Sequence, residues 1–199
     1  METRELGLEE PPPLGPLERL TEEHELIGFA GGPDDVGDQA GWLRSQALAN
    51  DREGYTRAFV ACFPGTKRVG AFFGLSSAVV ARSDLPKRAQ PHGTPRVVPA
   101  ALIGRLALHA DLQGRNLGIE ILIAAIEQCV VASEQIAFRV IIVDAASPKA
   151  RRLYEKLDFR PIANLELPNR LFLPVKTAAA LMKLKPGSNS SFYLGLASP

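Results

Sequence analysis

The stretch ALIGRLALHADLQGRNLG, Ala101 to Gly118, decides the fold. Ala101 to His109 reads as an apolar strand, and Gln113-Gly114-Arg115-Asn116-Leu117-Gly118 as a turn opening a long apolar helix, Gly118 to Ser133. Small residues let the chain turn tightly, successive backbone N–H groups point into the turn, and the helix start adds partial positive charge, so the arrangement suits a phosphate. A second buried strand, Phe138 to Val143, is apolar except at Arg139, as expected when both faces are covered. Ser147-Pro148 then supplies an N-cap and a first-turn proline for a helix through Leu157. That helix carries Tyr154, a candidate acid beside a cofactor loop, although spacing alone favours a core tyrosine whose hydroxyl meets a backbone group.

The flanks complete an α/β (α+β) pattern. Leu17 to Leu20 is a short first strand, and Gln39 to Ala49 has Trp42, Leu43 and Ala47 at helical spacing, with Asp34 or Asp35 as its cap. Trp42 reads as a core anchor. Thr56 to Phe63 and Arg68 to Ala81 are β-branched or aromatic runs joined by Pro64-Gly65-Thr66-Lys67, a hairpin signal. In the helix Gly118 to Ser133, Ile119, Leu122, Ile123, Ile126, Cys129 and Val130 give the apolar stripe. Asp158 ends the Tyr154 helix, Phe159 to Ile162 and Leu171 to Val175 offer further strands, and Thr177 to Leu184 a last short helix.

At 199 residues, 46% of them hydrophobic, the chain supports one domain with a full core. Residues 1–16 hold Pro11-Pro12-Pro13 and Pro16 among glutamates and are expected to be a flexible leader; 17–185 form the domain, and 186–199 have the composition of a disordered tail. Cys62 and Cys129 fall in a strand and a helix with no pairing or metal-ligand spacing, so both read as core residues and no metal is expected. A basic-apolar leader and a membrane-length apolar run are both lacking, which points to the cytoplasm and away from membranes. The net charge of +1 conceals an asymmetry: residues 1–50 hold 3 Lys or Arg against 11 Asp or Glu, and the remainder 20 against 11. The long link Arg82 to Pro99 is part of that basic share, with Arg82, Lys87, Arg88, His92 and Arg96 against the single acid Asp84. A loop of that length in a compact domain is functional or disordered, and this one fits an anionic partner.

Together, these residues carry a resemblance. Gln113 to Gly118 resembles the Gln/Arg-x-x-Gly-x-Gly/Ala loop of the GNAT N-acetyltransferases, with Asn116 at the central glycine, a residue that tolerates left-handed backbone. Ala150 to Phe159, ARRLYEKLDF, is similar to that family's Ala-x-x-x-Tyr-x-x-x-Gly-Phe segment, with Asp158 at the glycine. Gly41-Trp42-Leu43, Ala47 to Asn50, Thr56 to Val60, Gly104 to Leu108 and Leu171 to Pro174 extend the likeness to acetyltransferase toxins of the TacT type, over roughly residues 17 to 185.

The resemblance implies a GNAT fold: a mixed, strongly twisted sheet flanked by helices, with acetyl-CoA in the cleft between two central parallel strands. It implies that the pyrophosphate sits over the N–H groups of Gly114, Arg115, Asn116, Leu117 and Gly118, and that the backbone of Leu106, Ala107 and Leu108 pairs with the pantetheine arm. Gln113, Arg115 and Ser147 are further cofactor candidates, and the resemblance implies that Tyr154 protonates the leaving sulfur. The implied acceptor is the amino group of aminoacyl-tRNA, whose acetylation blocks translation, and the implied inhibitor is a ribbon-helix-helix antitoxin; a homodimer is also admitted. Arg82, Lys87, Arg88, Arg96 and Arg105 are the candidates for tRNA contact. No carboxylate stands out as base: Asp144 reads as a cap for the following turn and His109 as a strand-end surface residue. That favours an α-amino acceptor, of which about a third is neutral near pH 7.5, over a lysine. Two other readings share the residues: acetylation of a small-molecule or protein amine, and a non-catalytic acetyl-CoA-binding module.

Overall fold

The computed structural model describes residues 13–32 and 35–183; residues 1–12, Pro33, Asp34 and those beyond 183 lie outside them. Seven strands form one sheet in the order β1-β2-β3-β4-β5-β7-β6. They are β1 (Leu17–Arg19), β2 (Arg57–Cys62), β3 (Val69–Ala81), β4 (Val97–Leu108), β5 (Val140–Asp144), β6 (Arg160–Pro161) and β7 (Arg170–Pro174). All neighbours are antiparallel except β4 and β5, which run parallel. The mixed sheet expected from the sequence is therefore present.

The two faces of the sheet follow the period of two. Phe59, Ala61, Ala71, Phe73, Ile103, Ile141, Val143, Leu171 and Leu173 share one buried cluster with Ile121, Leu122, Ala125 and Cys129 of α3 (Leu117–Ser133) and Ala178 of α5 (Val175–Lys183). The alternate residues Ala58, Val60, Cys62 and Phe72 pack on Trp42, Leu43 and Ala47 of α1 (Gln39–Ser45) and α2 (Ala47–Arg52). Trp42 stacks on Phe72 with ring centroids 5.9 Å apart, as a core anchor. Farther along that same face, Val98, Ala100, Val140, Ile142 and Phe172 lie under Leu85.

Four expectations shift. Leu14 and Gly15, expected within a flexible leader, are packed on the domain: Leu14 is fully buried and Gly15 N–H donates to the Cys62 carbonyl. The single helix Gln39 to Ala49 is two, broken at Gln46; the Ser45 hydroxyl donates to the Gly41 carbonyl four residues back, a bond that bends helices. Its cap is Asp38, which accepts from Gly41 N–H, while Asp35 accepts from Gln39 and Ala40 N–H. The stripe of α3 centres on Ile121, Leu122, Ala125 and Ile126, leaving Ile119 and Ile123 half-buried, since a helix apolar on nearly every side gives no period to read.

Candidate active site

A break between the two parallel strands creates the site. β4 pairs with β5 only through Ala100–Leu102 and Val140–Ile142, and beyond that point β4 keeps β3 on one side and no strand on the other. A bulge reinforces the parting: Gly74 faces Gly104 and Phe72 faces Ala107, so Arg105 and Leu106 together oppose Phe73. Arg105 takes the left-handed φ of 59° there, a conformation that costs a non-glycine residue roughly 1–2 kcal/mol. Its guanidinium lies 5.4 Å from the Trp42 ring centre and 3.3 Å from the Gly37 carbonyl. The result is a cleft of about 1010 Å³ walled by Leu106, Ala107 and Leu108, by Gln113, Gly114, Asn116, Leu117 and Gly118, and by Ser147 and Tyr154 of the opposite wall.

The turn at the head of α3 has the form that its residues predict. Gly114 has φ 81° and Asn116 φ 60°, so both positions where the chain must turn left-handed carry residues that tolerate it. The N–H groups of Gly114, Arg115 and Asn116 donate to no backbone carbonyl among the described residues, and those of Leu117 and Gly118 belong to a helix's unpaired first turn. Five such N–H groups at a helix start, beside a strand edge with no partner, fit a pyrophosphate followed by an amide-bearing arm. The Gln113 side-chain amide is bound to the Gly31 and Leu108 carbonyls at 2.7 and 3.3 Å, so it braces the turn. The Arg115 side chain is exposed and outside the cleft wall.

Tyr154 projects from α4 (Pro148–Glu155), whose N-cap is Ser147, the Ser147 Oγ accepting from Ala150 N–H at 3.1 Å. The far end of α4 is a Schellman turn: Phe159 N–H donates to the Tyr154 carbonyl and Asp158 N–H to the Glu155 carbonyl, with Asp158 at φ 66°. That turn brings the Phe159 ring to 5.8 Å from the Tyr154 ring. Tyr154 is 8% exposed, and its hydroxyl has no hydrogen-bond partner among the described residues. Burial, with a smaller contribution from the Asp144 charge, pushes its phenol up to about 12.

Neither base candidate is free. Asp144 lines the cleft, but its two oxygens are held by Arg170 at 2.8 and 2.7 Å. His109 is 7% exposed, wedged between Phe29 and Phe63, with Nε2 on the Gly28 carbonyl and Nδ1 accepting from Asp111 N–H; it is a core residue and not the surface residue expected. The remaining carboxylate of the cleft, Asp35, is the brace of α1.

The charged candidates divide. Arg105 lines the cleft; Arg82, Lys87, Arg88 and Arg96 do not, and all four are exposed without an ion pair among the described residues. Their loop is folded as cover for the sheet, with Leu85 1% exposed and the Arg82 guanidinium on the Thr94 carbonyl. Sequence reasoning missed Lys149 and Arg152 of α4 and Lys156 at its C-cap, which line the cleft. Their spacing of three and four along one helix face was the available signal.

No protein-family model matches the chain. A tRNA-acetylating toxin of Mycobacterium tuberculosis is 38% identical over 164 residues, which is 82% of this chain and 94% of the relative. The fold superposes on AtaT complexed with acetyl-methionyl-tRNAfMet with a TM-score of 0.75 and 26% identity, covering 83% of this chain and 98% of that one. AtaTR bound with acetyl-CoA gives a TM-score of 0.70 at 25% identity, over 83% and 96%. Among the described residues no helix is long and apolar enough to cross a membrane. With its sheet, cleft and near-complete overlap of that relative, the chain belongs to the tRNA-acetylating toxins, GNAT-type acetyltransferases of toxin-antitoxin systems.

Proposed function

We propose that this protein transfers the acetyl group of acetyl-CoA to the α-amino group of an aminoacyl-tRNA in the cytoplasm and so stops translation. Acetyl-CoA supplies the acetyl thioester; the N–H groups of Gly114 to Gly118 would hold its pyrophosphate, and the open edge at Leu106 to Leu108 its pantetheine arm. The observation that carries the reading is the Tyr154 phenol on the cleft, kept protonated by burial and without a hydrogen-bond partner among the described residues, where the two described carboxylates of the cleft are already engaged.

The acceptor nitrogen attacks the thioester carbonyl carbon, a C–N bond forms and the C–S bond breaks with its electron pair going to sulfur. Tyr154 gives its hydroxyl proton to that sulfur and is reprotonated by the proton that the acceptor nitrogen releases. With Asp35 and Asp144 bound elsewhere, the acceptor must arrive neutral, which an α-amino group of pKa about 7.8 does far more often than a lysine of about 10.4. Arg105, Arg152 and Lys156 surround the cleft with positive charge, and Arg82, Lys87, Arg88 and Arg96, exposed on the loop before the far end of β4, are a separate group of cations for tRNA phosphates. The inhibitor is a ribbon-helix-helix antitoxin, and two toxin chains pair to join their basic rims.

A cell-free translation reaction tests the reading. The protein stops synthesis only when acetyl-CoA is supplied, and Tyr154→Phe lets it continue. Inhibition without acetyl-CoA, or equal inhibition by the variant, would reject it.

A further inference from the structure

Glu18 on β1, His24 in the turn that follows and Cys62 at the end of β2 have no part in the cleft, yet they converge. A carboxylate oxygen, an imidazole nitrogen and the thiol sulfur lie within 4.8 Å of one another. His24 is 6% exposed and Cys62 4%. The His24 Nε2 is buried with no hydrogen-bond partner and lies 3.3 Å from Glu18 Oε1. A tetrahedral ion with bonds of about 2.0–2.1 Å to nitrogen and oxygen separates those two ligands by roughly 3.3–3.4 Å.

We propose that Glu18, His24 and Cys62 form a zinc site, with three protein ligands and a fourth position open to water. One nitrogen, one oxygen and one sulfur ligand suit borderline-soft Zn²⁺ and not Mg²⁺ or Ca²⁺. The partly exposed Glu18 provides the entry path. An outer partner for the imidazole is in place: Thr21 N–H and Oγ1 lie 3.0 Å from His24 Nδ1, and the Thr21 carbonyl 3.3 Å away. Without metal, Nδ1 accepts from Thr21 N–H, which leaves the ring proton on Nε2. With metal on Nε2 the proton moves to Nδ1 and is donated to the Thr21 carbonyl, as outer partners of zinc-bound histidines accept it, and the Thr21 N–H must turn away from the ring that it donates to in the metal-free protein.

Two effects oppose the ion. Burial and the nearby Glu18 push the Cys62 thiol up to about 11, and the charge of a bound ion removes that proton on coordination. Lys67 Nζ, 3.4 Å from Glu18 Oε2, competes for the carboxylate. The site would staple β1 and its following turn to the β2–β3 hairpin, which they already meet through Glu25 N–H to the Lys67 carbonyl and Val69 N–H to the Glu25 carbonyl. From there the chain runs to Gly31 in the cleft wall, so the staple steadies one side of the cleft from outside it. Residues 18, 24 and 62 form no motif; only the pairing of β1 with β2 and the turn at Thr21 bring them together.

Chelator-stripped full-length protein titrated with Zn²⁺ or Co²⁺ alone tests the site independently of acetyl transfer. One ion per chain should bind, the thermal midpoint should rise with metal concentration, and Co²⁺ should show a thiolate charge-transfer band. His24→Gln and Cys62→Ser should weaken binding beyond the roughly 10–100-fold that loss of an outer partner costs, Thr21→Val within it, and Cys129→Ala not at all. Lys67→Ala, which leaves every ligand intact, should tighten it. No uptake by the wild-type protein, a Co²⁺ spectrum without the thiolate band, or unchanged affinity in folded His24→Gln and Cys62→Ser would overturn the proposal.

Discussion

At the scale of single residues the site depends on the surroundings of Tyr154. Its ring packs on Phe159, and it lines the cleft with no hydrogen-bond partner for its hydroxyl among the described residues. Tyr154→Phe keeps the ring packing and removes the proton, so the transfer rate should fall roughly 10²–10⁴-fold while acetyl-CoA affinity, measured by calorimetry, stays unchanged. A phenol raised to about 12 also has a signature in titration. In an ultraviolet absorbance titration, Tyr154→Phe should remove a tyrosine step that comes above the ordinary range near pH 10. Because the folded value lies above the unfolded value of about 10, stability is full below pH 10 and declines as pH rises toward 12; the variant should lose less over that window. The places of Tyr154 and Asn116 on the cleft were legible through the family resemblance of the local segments that hold them, where spacing alone favoured a core tyrosine. The fates of His109 and Asp144 were not, since Phe29, Phe63 and Arg170 reach them from distant parts of the chain.

At the scale of elements, two departures from the glycine pattern turn out to be compatible with the turns they occupy. Asn116 begins α3 at φ 60° and Asp158 closes α4 at φ 66°, both left-handed positions that suit glycine and are tolerated by Asn and Asp. Asn116→Gly and Asp158→Gly should therefore each stabilise the fold by up to about 1 kcal/mol, a rise of roughly 2–4 °C in Tm. Asn116→Val should do the reverse and weaken acetyl-CoA binding, because a β-branched residue cannot hold the turn open. The existence and order of the strands and helices were readable from apolar runs and the Ser147-Pro148 start. The bulge at Arg105 was not, because nothing but its pairing with β3 reveals that a bulky residue stands in a left-handed position. The break at Gln46 was hidden for a similar reason: it depends on where the Ser45 hydroxyl points.

For the whole molecule, the parting of β4 from β5 creates the cleft, and the basic loop after β3 covers the opposite face of the sheet while leaving its cations outside. Composition alone marked that loop as charged, but Leu85 and the Arg82 contact with Thr94 make it a folded cover. Lys87→Ala with Arg88→Ala should weaken tRNA binding and reduce the slope of log affinity against log salt by roughly 1.4–1.8, while acetyl-CoA affinity is unchanged; an unaltered slope would remove the loop from the RNA surface. The central claim joins cleft, acid and acceptor, and transfer of label from acetyl-CoA tests all three in one reaction. Offered total tRNA either charged or stripped of amino acids, the protein should label only the charged pool, on the amino acid, with the label lost in Tyr154→Phe. Label on stripped tRNA, or on neither pool while other amines are acetylated, would contradict the account.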